Sequence, residues 1–309
     1  GAMSIAVCMV VKDEARRIAE CLASVLPHVD EAVVVDTGST DGTPELLKER
    51  FGIVVQHGRL QEERCLTVAD LRNHAASCAR SDWILSIDAD ECLIPGALEA
   101  FRAEVSSAPV DGFFGLWSNH FEGEAPFEDY KLFLYRRHLG KRGLVHDSVQ
   151  PDLREKGGRA RWLDGFEIRH FPEAVKHPHK VARYRWRLDR AITLEPHWLR
   201  YHWFLGYMNW QEGRFDDARG LFERLVNERP ALFPVETLNA WMVLIEMDCR
   251  AGRAREALRA CTDALDFHDA HADDFEVRVN FRLRPWLQAT QDLLRDERPD
   301  AVHAYRFAR

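Results

Sequence analysis

Trp83-Ile84-Leu85-Ser86-Ile87 runs straight into Asp88-Ala89-Asp90-Glu91. A short, largely apolar run of strand length that ends in alternating carboxylates reads as a strand buried on both faces of a parallel sheet, delivering acids to its carboxyl end. The same arrangement recurs upstream. Ile5 to Val11 is an unbroken apolar run closed by Lys12-Asp13-Glu14, and Glu31 to Val35 is followed by Asp36. Between these strands the spacing changes to that of helices. Ile18, Leu22 and Val25 share one face ahead of Pro27. After the loop Asp36-Thr37-Gly38-Ser39-Thr40-Asp41-Gly42, Pro44 suits a first helical position with Thr43 as N-cap, and the helix runs from Glu45 to Phe51. Ile53-Val54-Val55 reads as a third strand and Leu66 to Ala79 as the next helix. The alternation of strand and helix predicts an open, parallel α/β sheet.

Downstream the pattern shifts. Phe113 to Trp117 and Leu132 to Tyr135 read as further strands around an acidic loop, and Glu167 to Phe171 as the last strand. Beyond about residue 175 the chain reads as helical. Leu205-Gly206, Gly213, Ala218, Phe222 and Pro230 fall at tetratricopeptide spacing, predicting a helix pair over Trp203–Glu212 and Phe215–Asn227. Gly252, Ala257 and Cys261 repeat Gly213, Ala218 and Phe222 at a distance of 39 residues, longer than the usual period of about 34. The expected division is a sheet domain over 4–175 and a helical, tetratricopeptide-like domain over 176–309, the latter either a bare scaffold or a binding surface.

Composition narrows the function classes. The 309 residues carry 42 basic and 50 acidic side chains, a formal charge of −8, which argues against a polybasic nucleic-acid binder. Only seven of the basic residues are Lys, a bias assigned to the source genome's base composition. Apolar residues make up 46 %, with nine Trp and 17 Phe, enough for packed cores. No run approaches the roughly 18 apolar residues of a membrane span, and no secretory signal is visible; Gly1-Ala2-Met3 reads as a cloning remnant. Seven cysteines, none in a Cys-x-x-Cys pair and most within apolar segments, predict neither a disulfide framework nor a structural zinc site. The expected home is a reducing cytoplasm.

The chemistry concentrates at strand ends. Glu14, Asp36 and the Asp88–Asp90 pair arrive on three separate strands at the sheet edge where open α/β proteins bind ligands. Alternating aspartates supply the hard oxygen donors that Mg²⁺ or Mn²⁺ prefers, and no glycine-rich phosphate loop is present, so a carboxylate-held cation is left to neutralise a diphosphate. Asp41 reads as a loop and helix-capping residue.

Several motifs resemble those of family 2 glycosyltransferases with the GT-A fold: V-V-K-D-E (10–14), V-V-V-D-T-G-S-T-D-G-T (33–43), L-R-N (71–73) and L-S-I-D-A-D-E (85–91). K-L-F-L-Y-R-R (131–137), V-H-D-S-V (145–149) and I-R-H-F (168–171), followed by tetratricopeptide-like helices, make the chain similar to the bacterial branch of lipopolysaccharide-core β-1,4-glucosyltransferases and bacteriocin peptide S-glycosyltransferases. The resemblance implies inverting transfer from a nucleotide-diphosphate sugar, a UDP-sugar in particular, to a saccharide, lipid-linked glycan or peptide acceptor. It implies that Glu14 and Asp36 hold the nucleoside, that Arg72 and Asn73 contact base or diphosphate, and that Asp88 binds ribose or metal. Asp90 and His170 would complete a Mn²⁺ or Mg²⁺ site. Asp147 is the expected catalytic base, with Glu91 and His146 behind it; the family usually has His-Glu where this chain has His146-Asp147.

Plainer readings stand beside these. Glu91 could only form a salt bridge with a neighbour, His146 could orient Asp147, and His170 could be a core histidine. Tyr184, Trp186, Trp198, Tyr201, Trp203, Phe204, Tyr207 and Trp210 read as core or as an acceptor platform. Two other functions compete with the transferase: a non-catalytic interaction module whose repeats bind a partner, and a nucleotidyltransferase, which would need a glycine-rich basic loop that is absent.

Overall fold

The computed structural model describes residues 3–61, 67–94, 96–104, 109–173 and 177–307. The chain divides into two compact units, the first ending at Lys176 and the second running from His177 to Phe307.

The first unit is built on an eight-stranded sheet. Its strands are β1 (Ile5–Val11), β2 (Glu31–Asp36), β3 (Gln56–His57), β4 (Trp83–Ser86), β5 (Glu91–Leu93), β6 (Gly112–Asn119), β7 (Phe127–Arg136) and β8 (Ala160–His170), in the spatial order β3-β2-β1-β4-β7-β6-β8-β5. The half from β3 to β4 is parallel throughout, as the strand–helix alternation predicts. The other half is mixed: β7 runs antiparallel to β4 and β6, β8 runs parallel to β6, and β5 runs antiparallel to β8. Helices α1 (Ile18–Val25), α2 (Thr43–Phe51), α3 (Val68–Cys78), α4 (Ala97–Glu104) and α5 (Gln150–Glu155) complete the unit. Ile5, Val7, Met9, Ile18, Leu22, Trp83, Leu85, Phe101, Phe113 and Phe166 belong to its core.

Ser86 and Glu91 are five residue steps apart, a reach of roughly 17 Å for an extended chain. Yet β5 lies four places from β4 in strand order, roughly 19 Å across a flat sheet. The mixed half must therefore curl for the Asp88–Asp90 link to join β4 to β5.

Three local expectations need correction. Ile53–Val55 is not a strand: Val54 points to solvent, and pairing with β2 begins at Gln56, opposite Val35. Thr43 lies inside α2, and the N-cap is Gly42, whose φ of 88° suits a residue without a Cβ. The helix read as starting at Leu66 begins at Val68, with Thr67 and Asp70 forming a capping box; Leu66 itself lies outside the described residues.

The second unit is helical: α6 (Pro178–Leu194), α7 (Arg200–Gln211), α8 (Phe215–Glu228), α9 (Pro234–Arg250), α10 (Ala254–Ala270), α11 (Phe275–Val279) and α12 (Leu283–Arg295). The 39-residue repeat is visible in it. Gly213 and Gly252 take left-handed φ values of 77° and 72° just past α7 and α9. Ala218 and Phe222 on α8, and Ala257 and Cys261 on α10, are fully buried at matching places. The period is long because α9, at 17 residues, exceeds α7, at 12. Gly206 is required by packing: a Cβ there would lie 2.6 Å from Phe222 Cε1. Of the aromatic stretch, Tyr201 and Trp203 are core, whereas Trp186 is exposed.

Candidate active site

At the carboxyl ends of β1 and β2 the two following loops are laced together. Thr40 N–H donates to Asp13 Oδ1, Asp13 N–H to Ser39 Oγ, Glu14 N–H to Thr43 Oγ1 and Ala15 N–H to Asp41 Oδ2. Asp36, only 3 % exposed, accepts from the Gly38 and Ser39 N–H groups and the Ser39 hydroxyl, so its carboxylate organises the turn. Asp41 also accepts from the Thr43 N–H and hydroxyl, a capping role. Glu14 pairs with Arg17 at 3.1 Å; burial nonetheless pushes its carboxyl above the usual range.

Register assembles the next group. His170 lies opposite Glu91 on β5 and Asn119 on β6. His170 Nδ1 faces Asn119 Oδ1 at 2.7 Å, and the Asn119 amide nitrogen donates to the Trp117 and Phe127 carbonyls, which fixes the amide's orientation. Nδ1 must therefore carry the proton. His170 Nε2 is left 3.0 Å from Asp90 Oδ2. The two atoms are close enough to share a cation, and Arg17 Nη1 stands 3.8 Å from the same Asp90 oxygen.

Oxygens of Asp88, Asp90 and Glu91 lie within 4.8 Å of one another, and hard carboxylate donors with one imidazole fit Mn²⁺ or Mg²⁺. Within this set Glu91 is already engaged. It is 1 % exposed and accepts from Asp88 N–H at 2.7 Å and from Trp117 Nε1–H at 2.6 Å. Burial raises its carboxyl above the usual range, Lys131 opposing. The plainer expectation for Glu91 is a salt bridge to a neighbour; its hydrogen-bond partners are instead an uncharged amide and an indole.

Arg72 on α3 joins the third group. It donates to Asp88 Oδ1 at 2.9 Å and to Asp147 Oδ1 at 2.6 Å. Lys141 Nζ stands 3.5 Å from Asp147 Oδ2. Burial works to raise the Asp147 carboxyl, but Arg72 and Lys141 outweigh it and hold the group well below the usual carboxylate range. Burial lowers Lys141 to about 8, Asp147 opposing. Asn73 uses its whole amide on Lys141, donating to the backbone carbonyl at 2.9 Å and accepting from the N–H at 2.8 Å. His146 is exposed and strained at φ 53°.

Against known families, the chain matches the family model described as Glycosyl transferase family 2 over residues 6–163, just over half its length. The chain belongs to glycosyl transferase family 2. Among its relatives are a TPR repeat-containing protein of Synechococcus elongatus, 34 % identical over 150 residues, and an uncharacterised glycosyltransferase of Rickettsia felis, 37 % identical over 83. These alignments cover 48 % and 27 % of this chain and 36 % and 27 % of the relatives, so the chain spans about a third and about a quarter of their lengths. The crystal structure of S. aureus TarS 1-349 aligns over 99 % of this chain and 94 % of that one, at 15 % identity and a TM-score of 0.44.

In this family 2 chain the fold brings Asp88, Asp90, Glu91, Arg72, Asp147 and His170 together. Asn73 follows Arg72 on α3, and Asp36 ends β2 two strands from β4; their amide and carboxylate are turned to neighbouring chain. Sequence reasoning missed Lys141, Lys131, Trp117, Asn119 and Arg17. Lys131 was within a quoted motif, and Arg17 stands three residues from Glu14. Asn119 carries no local signal, since its partner lies 51 positions away, and the backbone of Lys141 is held by Asn73, 68 positions away, although its ammonium faces Asp147 only six positions on.

Proposed function

We propose that this chain is a metal-dependent, inverting glycosyltransferase that moves a sugar from a nucleotide-diphosphate donor, with UDP-sugars favoured, to a saccharide, lipid-linked glycan or peptide acceptor. The observation that carries this reading is the convergence of Asp88, Asp90 and His170, with Arg72 alongside, at the carboxyl end of β4 in a family 2 chain. Asp90, His170 and Asp88 would hold Mn²⁺ or Mg²⁺. When bound, such an ion neutralises charge developing on a diphosphate leaving group. Arg72 suits a phosphate oxygen by its planar fork of donors. Glu14 and the turn organised by Asp36 border the nucleoside, and Asn73 positions Lys141.

Inversion needs a single displacement. The acceptor's oxygen or sulfur forms its bond to the anomeric carbon while the bond to the diphosphate breaks, the electron pair leaving with phosphate. The acceptor's proton goes to Asp147, with His146 on the same turn as the alternative base. Glu91 positions the Asp88–Asp90 link through the Asp88 N–H. We place the protein in the cytoplasm, at the inner face of the inner membrane for a lipid-linked acceptor; among the described residues no helix is long and apolar enough to cross a membrane.

The test is donor hydrolysis or transfer with Mn²⁺ or Mg²⁺. D90A should lose roughly a hundredfold or more in turnover, since a catalytic cation is worth several kcal/mol. Full activity in D90A would overturn the metal reading, and no turnover of any nucleotide sugar would overturn the transferase.

A further inference from the structure

We propose that Asp147 is an internal stand-in for the donor's diphosphate: it occupies Arg72 and Lys141 in the free protein, and an arriving diphosphate takes both cations and releases the carboxylate. The inference rests on the donor reading above and adds Lys141 to the residues that meet the leaving group.

The geometry points this way because cations and carboxylate are held differently. Arg72 sits within α3. Lys141 is anchored at both backbone groups by Asn73, and its neighbour Gly140 donates to Asp152 at 2.8 Å. Asp147 instead belongs to a turn pinched at its stem by the Arg142–Ser148 bridge, with Gly143 at φ 119° and His146 at φ 53° between stem and tip. The carboxylate is the member free to yield. It is also imperfectly satisfied. Its side chain is only 9 % exposed, yet among the described residues Oδ2 accepts no hydrogen bond and faces the Lys141 ammonium at 3.5 Å. A buried acceptor in that state costs free energy that a better-matched anion would recover.

Charge agrees. Arg72, Lys141 and Lys131 all act on Asp147, and among the described residues Asp88 and the buried Glu91 also face these cations. With Asp147 withdrawn, three cations face two carboxylates. A carboxylate freed of two cations regains proton affinity. The base would thus become competent only once a donor is seated, so donor binding precedes acceptor activation.

Calorimetry with UDP and saturating Mn²⁺ tests this on the full chain. D147N should bind UDP on the order of tenfold more tightly than wild type, the low end of what close desolvated charge pairs contribute. Uridine affinity should not change. K141M should bind UDP more weakly, and the gain from D147N should shrink in the K141M background. A folded D147N that binds UDP no more tightly than wild type overturns the inference. If D147N does not fold, K141M with wild-type UDP affinity overturns it. Inorganic pyrophosphate serves as a base-free probe. Wild type that binds neither UDP nor pyrophosphate sinks the donor reading together with the inference, whereas UDP binding indifferent to both substitutions sinks the inference alone.

Discussion

Asp147 shows how a single residue can look right in sequence and behave differently in place. As the carboxylate after His146 it reads as a base, but two cations hold it ionised. The sign for stability follows. Its folded-state carboxyl is more acidic than the unfolded value of about 3.9. Its contribution is therefore fully present above that value and is lost as pH falls through the lower, folded one. Urea unfolding should show wild type more stable than D147N at pH 6, with the gap narrowing at pH 3. Removing one partner of such a buried pair costs about 3–5 kcal/mol, which sets the scale at pH 6. Glu91 makes the complementary case. In E91A, Asp88 N–H and Trp117 Nε1–H lose their acceptor, at about 1–3 kcal/mol for each buried group left unsatisfied. Equal urea midpoints for E91A and wild type would refute that role.

Elements carry the next level. The loops after β1 and β2 are bound by side chains of the D-T-G-S-T-D-G-T stretch, so the motif's hydroxyls and carboxylates serve the loop first and any ligand second. In the second unit, the α7–α8 pair closes at Gly206. G206A would place a methyl 2.6 Å from Phe222 Cε1, on a residue that is fully buried. Overpacking of this kind costs about 1–3 kcal/mol. Thermal unfolding should show a lowered midpoint, and a G206A/F222L double variant, with room restored, should recover part of it. The pairing of β5 with β8 is the element-level event that makes the site, since it brings Glu91 beside His170.

For the molecule as a whole, the expected signature is linkage between cation, nucleotide and stability. A ligand that binds only the folded chain stabilises it by about 2.7 kcal/mol at a hundred times its dissociation constant. UDP with Mn²⁺ should therefore raise the unfolding midpoint by several degrees. EDTA should abolish most of that rise, and D90A should not show the Mn²⁺-dependent part.

Strand identity, the parallel half of the sheet and the acids at its rim were legible because they depend on local pattern: apolar runs of strand length, a helical period between them, and polar residues where each strand stops. The helical repeat was legible for the same reason, its glycines and small residues recurring at one spacing. Asp88 and Asp90 could be named from their own neighbours. The mixed half of the sheet, the short β5 and the partners of the charged groups could not. Arg72 meets Asp147 across 75 positions, His170 meets Asp90 across 80, and Trp117 reaches Glu91 across 26. Strand order and register decide such meetings, and burial then decides which acids stay ionised and which serve as hydrogen-bond acceptors. Residue chemistry is written along the chain, whereas proximity and desolvation exist only once the chain has folded.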